Sequence, residues 1–401
     1  MSLDFQQVSI TIKKIGTSAL VRKTDLDQQR TLARMLFKQY AGQPELLIEK
    51  IKNRSESDTS LRCARPETEA MDFHVLPVEV PVSVTLIAAD GSQIFPDRHN
   101  AVHYGLINIG AIIYKMESGE APIIRTQSGL LFDDQLETSN GYPLSDGMLS
   151  LKRDLEERSV LFQLSKEFSG ENNQVITITD GPIELWGARE GEEGGEFEKS
   201  LKDYLSILQN TRSVGAIAAG YIDKPSADLV VRSLELSLIN GSGQKDPKKE
   251  HPLGRVTDRW LFGRVNDPLL KPGERSAVFG FQSASQKFYT GDITLHFFYL
   301  NTGINEANPQ ISRVDIPDWV ARDPEKINLL HMVLVQQCRI MGASPFPYSL
   351  HRAHECAVVT MAEKDQVDQM LSIEMRKSGI EIDVISGKQS AKNRQGRTSY
   401  K

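Results

Sequence analysis

VPVSVTLIAADGS, residues 80–92, is the stretch on which the fold turns. Its β-branched run reads as a buried strand that ends at Asp90-Gly91-Ser92, so an aspartate is delivered to the strand's end. Working outward, HYGLINIGAIIYKM (103–116) and APIIRT (121–126) read as two further strands, with SGE (118–120) as a short turn between them. Three strands joined by short links predict an antiparallel meander.

The next segment, SDGMLSLKRDLEERSVLFQLSKEF (145–168), places Leu151, Leu155, Leu161 and Leu164 at helical spacing, with Ser145 or Asp146 as the cap. QVITITDGPIELWG (174–187) then repeats the first device, a short apolar strand ending at Asp180-Gly181. Beyond it a helix around 195–210, a strand SVGAIAAGY (213–221) and a helix DLVVRSLELSL (228–238) predict parallel βαβ units. DITLHFFYLN (292–301) and ISRVDIPDWV (311–320) read as later strands, and a helix-rich stretch follows over about 324–380.

At the N-terminus, LARMLFKQY (32–40) and PELLIEKIKN (44–53) read as amphipathic helices, and NRSESDTSLRCARPETE (53–69) as a polar linker, so that the folded body begins near Val78. The expected organisation is a helical N-terminal extension over 1–70, one main domain over 71–385 with its core at about 80–240, and a basic disordered tail over 386–401.

Composition excludes several classes. The chain has 401 residues, 39% hydrophobic and 25% charged, as globular proteins do. No run of about 18 uncharged apolar residues is present and the start lacks a signal-peptide pattern, so a cytoplasmic protein without membrane contact is expected. Cys63, Cys338 and Cys356 share no metal-ligand spacing and read as inert thiols. A net charge of -6 argues against bulk electrostatic grip on nucleic acid, so any such contact must be local.

Two strands ending in Asp-Gly, with an acid-bearing helix between them, bring Asp90 and Asp180 to one sheet edge if the strands are adjacent and parallel. Converging carboxylates are what divalent ions such as Mg²⁺ or Mn²⁺ require. The helix offers Glu156 and Glu157; neighbours point about 100° apart, so only one faces the site, and Glu156 is favoured. The order of strand with Asp, two antiparallel strands, helix with Glu, strand with Asp is the layout of the ribonuclease H-like fold: α/β, a mixed sheet flanked by helices, here with C-terminal helices added.

LIAADGSQIFPDRHNAVHYGLINIGAI (86–112) resembles the first motif of the NurA nucleases, and ITDGPI (178–183) their second. VTDRWLF (256–262), GERSAVF (273–279), FFYLN (297–301) and RVDIPDWVA (313–321) resemble later segments, and PFPYSLHRAHECAVV (345–359) the closing one. The resemblance covers roughly residues 80 to 360. It implies a metal-dependent deoxyribonuclease, with Asp90, Asp180, Glu156 or Glu157, and His354 as the metal set, and Mn²⁺ favoured over Mg²⁺ because imidazole is a nitrogen donor. It also implies DNA as substrate, a homodimer, and partnership with a HerA-type hexameric ATPase in DNA end processing or anti-phage defence. Archaeal members carry a tyrosine eight residues before the histidine; here Phe346 stands there, with Tyr348 two residues on.

Asp258 reads as an additional acid near the site or, in preference, a loop cap, Lys224 as a DNA-phosphate contact or a solvated lysine, and His103 as structural beside His99. The alternative function is a catalytically weak docking subunit that regulates the ATPase. A phosphotransferase of the actin and sugar kinase kind ranks low, because GEEGGEFEKS (191–200) is too acidic to cradle phosphates.

Overall fold

The β-branched run expected to form a strand is one of twelve residues, Ser83–Ile94, with Val84 through Ala89 buried in succession, as a strand covered on both faces requires. The computed structural model describes residues 4–79, 83–97, 102–138, 141–170, 173–187, 194–239 and 251–379. His99, residues 191–193 of the acidic run 191–200 and the tail 386–401 therefore lie outside the described residues. The chain divides into two units, one of residues 1–80 and 219–347, the other of 81–218 and 348–401.

In the first unit, α1 (Phe5–Ala41) is capped by Asp4, whose carboxylate accepts from the backbone of Gln6 and Gln7, and α2 (Pro44–Ser57) begins with proline in the first turn, where no N–H is needed. Ala33, Leu36, Phe37 and Tyr40 are buried, and Phe37 meets Phe262 edge-on at 5.6 Å. β1 (Cys63–Pro66) pairs with β9 (Phe279–Gln282), which continues into β10 (Leu295–Asn301), β11 (Ile311–Pro317) and β7 (Ile217–Ile222). β2 (His74–Val75) pairs with β8 (Arg275–Ser276) at the side. Helices α5 (Leu229–Glu235), α6 (Asp258–Phe262), α7 (Asp318–Ala321) and α8 (Pro324–Ile340) complete it.

Two expectations change here. The stretch read as a linker over 53–69 contains β1, because Cys63 and Ala64, though flanked by polar residues, are both buried. Residues 1–70 belong to the same unit as 219–347.

In the second unit, β3 (Ser83–Ile94) pairs antiparallel with β4 (Gly105–Lys115), and β4 with β5 (Ile123–Leu131), giving the expected meander. After α3 (Asp146–Phe168) the chain returns as β6 (Asn173–Asp180), parallel to β3, and α4 (Gly194–Ser213) leads to the start of β7. The order β5-β4-β3-β6, with Thr177 donating its hydroxyl to the Ile217 carbonyl beyond it, is ribonuclease H-like.

Side chains alternate across a strand, which assigns the two faces. Ile87, Ala89, Ile107, Ile109 and Ile113 pack under Leu149, Val160, Leu161 and Leu164 of α3. Each such fully buried leucine contributes about 1.5–3 kcal/mol. The opposite face receives α9 (Tyr348–Ala357), and α10 (Met361–Lys377) closes over Ile94, Tyr104 and Leu106 with Val367 and Leu371. Among the described residues no helix is long and apolar enough to cross a membrane.

Candidate active site

Register brings the two aspartates together. Ala89 on β3 is level with Thr179 on the parallel β6, so the next residues, Asp90 and Asp180, stand side by side on neighbouring strands about 5 Å apart. β6 ends at Asp180 as expected, whereas β3 does not end at Asp90-Gly91-Ser92 but stays paired with β4 as far as Ile94. Asp180 is exposed and Asp90 partly buried.

α9 reaches Asp90 from the other face. The end of that helix is tied to the sheet at one carbonyl, Ala357, which accepts from Ser92 Oγ at 2.5 Å and from Asn108 Nδ2 at 2.8 Å. Asn108 is itself held by the Ser128 hydroxyl at 2.6 Å. Anchored this way, α9 sets His354 Nδ1 2.7 Å from Asp90 Oδ2. With Nδ1 donating to the carboxylate, the imidazole lone pair lies on Nε2, on a side chain that is 64% exposed. The serine of the Asp-Gly-Ser motif is thus a helix anchor, and its glycine does other work.

A Cβ on Gly91 would lie 2.6 Å from Glu157 Oε1 and 2.7 Å from Arg153 Cγ, so only glycine lets α3 lower these side chains onto the strand beside Asp90. The structure places Glu157 here and not the favoured Glu156. One residue back on the helix, Glu156 is exposed and takes a 3.3 Å hydrogen bond from Gln127 on β5. Glu157 is 7% exposed. Burial, reinforced by the carboxylates of Asp154 and Asp90 and opposed by Arg153 and Arg158, pushes it up to about 8.

The same helix face contributes residues that sequence reasoning missed. Asp154 accepts from Arg153 at 2.6 and 3.1 Å, and its pKa is raised, chiefly by burial. Arg153 also lies 3.2 Å from Glu157 Oε1 and donates to Gln93 Oε1 at 2.9 Å. Burial works against its charge, but Asp154, Glu157 and Asp90 outweigh it and raise the pKa. Arg158, 2% exposed, donates to Thr179 Oγ1 at 3.0 Å and lies 5.6 Å over the Tyr204 ring. Arg153, Asp154, Glu157 and Arg158 fall at the one-, three- and four-residue steps of a single helical face, and that spacing was the available signal.

The donors fit a hard or borderline divalent cation by type: crowded carboxylates whose mutual repulsion a cation relieves, plus an imidazole. Among the described residues, no three His, Cys, Asp or Glu side chains stand together as a finished ligand set. The positive charge among them is carried by arginine.

The remaining candidates fall elsewhere. Tyr348 packs edge-on against Tyr114 at 6.3 Å, and Tyr114 is four residues along β4 from the position facing Asp90, about 13 Å away. Phe346 packs edge-on against Tyr221 at 5.5 Å. Asp258 is fully buried, accepting from the backbone of Val230 and Val231 at 2.9 Å and from Tyr299 at 2.5 Å, so it serves as a cap inside the first unit. Lys224 is exposed, pairs with Asp223 at 3.8 Å and has a left-handed backbone, φ 43°. His103 is exposed just before β4. Burial pushes the Cys63 and Cys338 thiols up to about 12, which makes both inert.

Comparison with known proteins gives a family. The family model described as the NurA domain matches residues 84–359. No curated protein matches in sequence. A NurA crystal structure is 10% identical, covering 83% of this chain and 96% of its own, with a TM-score of 0.42. A NurA structure with manganese gives 10%, 83%, 96% and 0.41. The catalytic domain of human Endonuclease V is 12% identical over 81% of this chain and 96% of its own, with a TM-score of 0.31.

Proposed function

This chain belongs to the NurA family, and on that premise we propose that it is a metal-dependent deoxyribonuclease whose centre is formed by Asp90, Glu157, Asp180 and His354. The observation that carries the reading is that α3 sets Glu157 against β3 at Gly91, within the electrostatic reach of Asp90 and Asp154, while His354 is delivered onto Asp90 by a separately anchored helix.

Asp90, Glu157 and Asp180 would hold a divalent cation, Mn²⁺ in preference to Mg²⁺ because His354 adds nitrogen. A bound cation supplies an activated water and neutralises charge developing on the phosphodiester. The chain's own groups do the rest. Asp90 orients the imidazole through Nδ1, so His354 Nε2 is directed outward to bind or to take a proton. Gly91 admits the helix, and Arg158 keeps positive charge under the carboxylates. Glu156, held to Gln127 at 3.3 Å, is the weaker choice for the helical ligand.

The substrate is DNA, degraded or resected from its ends, with a HerA-type hexameric ATPase as partner and a homodimer as the working form. An acidic chain that grips DNA weakly is suited to a motor that feeds it. DNA end processing and anti-phage defence draw on the same chemistry. The exposed row Phe5, Val8, Ile12 and Ile15 on α1, spaced by three and four residues, supports placing the dimer or motor contact there.

The deciding experiment incubates the purified protein with linear duplex and single-stranded DNA in Mn²⁺, Mg²⁺ or EDTA, alone and with the ATPase, beside Asp90→Ala. Metal-dependent degradation lost in the variant supports the reading. If no DNA is cut even with the motor, the docking-subunit alternative takes its place.

A further inference from the structure

Two arginines attend the carboxylates, and they are held differently. Arg158 is enclosed: 2% exposed, fixed to Thr179 at 3.0 Å and covered by Tyr204. Arg153 sits at the rim with its side chain 28% exposed. Its guanidinium spans Asp154 Oδ1 (2.6 Å) and Glu157 Oε1 (3.2 Å), and its outer nitrogen donates to Gln93 Oε1 (2.9 Å). Gln93 is fixed in turn, donating Nε2 to Ser150 Oγ at 3.0 Å, and Ser150 donates to the Asp146 carbonyl at 2.9 Å. A neutral amide thus latches a cation whose other contacts are all acidic, and that cation has a path to solvent.

We propose that Arg153 is a displaceable internal counter-cation: latched by Gln93, it neutralises Asp154 and Glu157 until a divalent ion takes over their charge and the guanidinium swings out. The inference rests on the metal-dependent reading above. It follows from charge and geometry. A divalent ion that approaches Glu157 Oε1 while the guanidinium still holds it is repelled by that guanidinium, so the arrangement with Arg153 displaced gains in stability as the ion enters. The contacts that hold Arg153 are those a metal would claim, since Glu157 Oε1 is bonded to it on the Asp90 side of the helix. Arg158 remains in place and stabilises the same carboxylates in both states. The arginine therefore prevents like-charge strain in the metal-free protein and sets a threshold for metal entry.

Binding of Mn²⁺ to the full-length protein without DNA tests this, by titration calorimetry or by the free-ion EPR signal, in wild type, Arg153→Gln, Gln93→Leu and Asp90→Ala. Arg153→Gln is expected to bind Mn²⁺ tighter by tenfold or more. Gln93→Leu, which keeps the charge and removes the latch, should tighten binding by a smaller factor, and the thermal midpoint of Arg153→Gln should rise further on adding Mn²⁺ than that of wild type. Unchanged or weaker Mn²⁺ binding in both variants overturns the proposal while leaving the nuclease reading intact. Absence of Asp90-dependent Mn²⁺ binding in wild type and variants alike overturns the metal reading itself. Should Arg153→Gln fail to fold, Gln93→Leu decides alone.

Discussion

Gly110 lies directly opposite Asp90 in the β3–β4 register, and a Cβ there would stand 2.6 Å from the backbone nitrogen of Ala357 and 2.7 Å from the Ala353 carbonyl. α9 touches the sheet backbone to backbone at this point. The glycine that admits the helix is therefore the residue paired with the aspartate that the helix's histidine must reach.

Gly110→Ala is expected to lift α9 and take His354 off Asp90. Overpacking of this kind costs about 1–3 kcal/mol. Thermal unfolding should show the loss, and DNA cleavage should fall by more than stability explains. Full cleavage in a folded Gly110→Ala protein would mean that the His354–Asp90 contact is dispensable.

Glu157→Gln and Glu156→Gln separate two neighbours on one helix. The first is expected to lower metal-dependent cleavage on the order of a hundredfold or more, as loss of an active-site charge does. The second should leave it unchanged, because Glu156 is exposed and bonded to Gln127. The reverse ranking in a cleavage assay would move the site to the other side of α3.

His331 ties stability to pH. It is fully buried in α8, with Nε2 2.8 Å from the Gly273 carbonyl, and its pKa is pushed down to about 4 by burial, with Arg275 adding to the effect. The unfolded value is near 6.5, so as pH falls below about 6.5 the unfolded chain takes up a proton that the folded chain refuses. Stability present at neutral pH is lost between about 6.5 and 4, amounting to about 3 kcal/mol. Urea unfolding at a series of pH values should show this slope in wild type and a shallower one in His331→Gln.

Removing residues 2–24 deletes the exposed row Phe5, Val8, Ile12 and Ile15 and keeps the buried Ala33, Leu36, Phe37 and Tyr40. The truncated protein should melt within about 2 °C of wild type, since little buried surface is lost. Its oligomeric mass or its binding to the ATPase should drop. If both are retained, the row has no part in assembly.

The Asp180-Gly181 strand end and the meander were legible, because a buried β-branched run and its terminating turn are local signals; Asp90-Gly91 read as a second such end, but β3 runs through it to Ile94, held by pairing with β4. The choice of glutamate was not. Glu156 and Glu157 differ by one helical step, and what selects Glu157 is the missing side chain of Gly91, a contact from another element. β1 was hidden because four residues in a polar stretch carry no periodicity. Asp154 and Arg153 could have been found by drawing the helical face through Glu157 and Leu161. His354 rested on family resemblance, since nothing local in YSLHRAHECA distinguishes it from His351.

The unit that contains Asp90 and Asp180 is built from two stretches of chain, with residues 219–347 made between them. During synthesis the aspartates emerge first, and His354 follows after a delay on the order of ten seconds or more at about 5–20 residues per second. Gly110 and Asn108 wait for a helix that does not yet exist. A ribosome-bound chain thus carries carboxylates with no histidine and no α9 to order them, and the proposed cutting centre comes together only once residues 348–357 have been made.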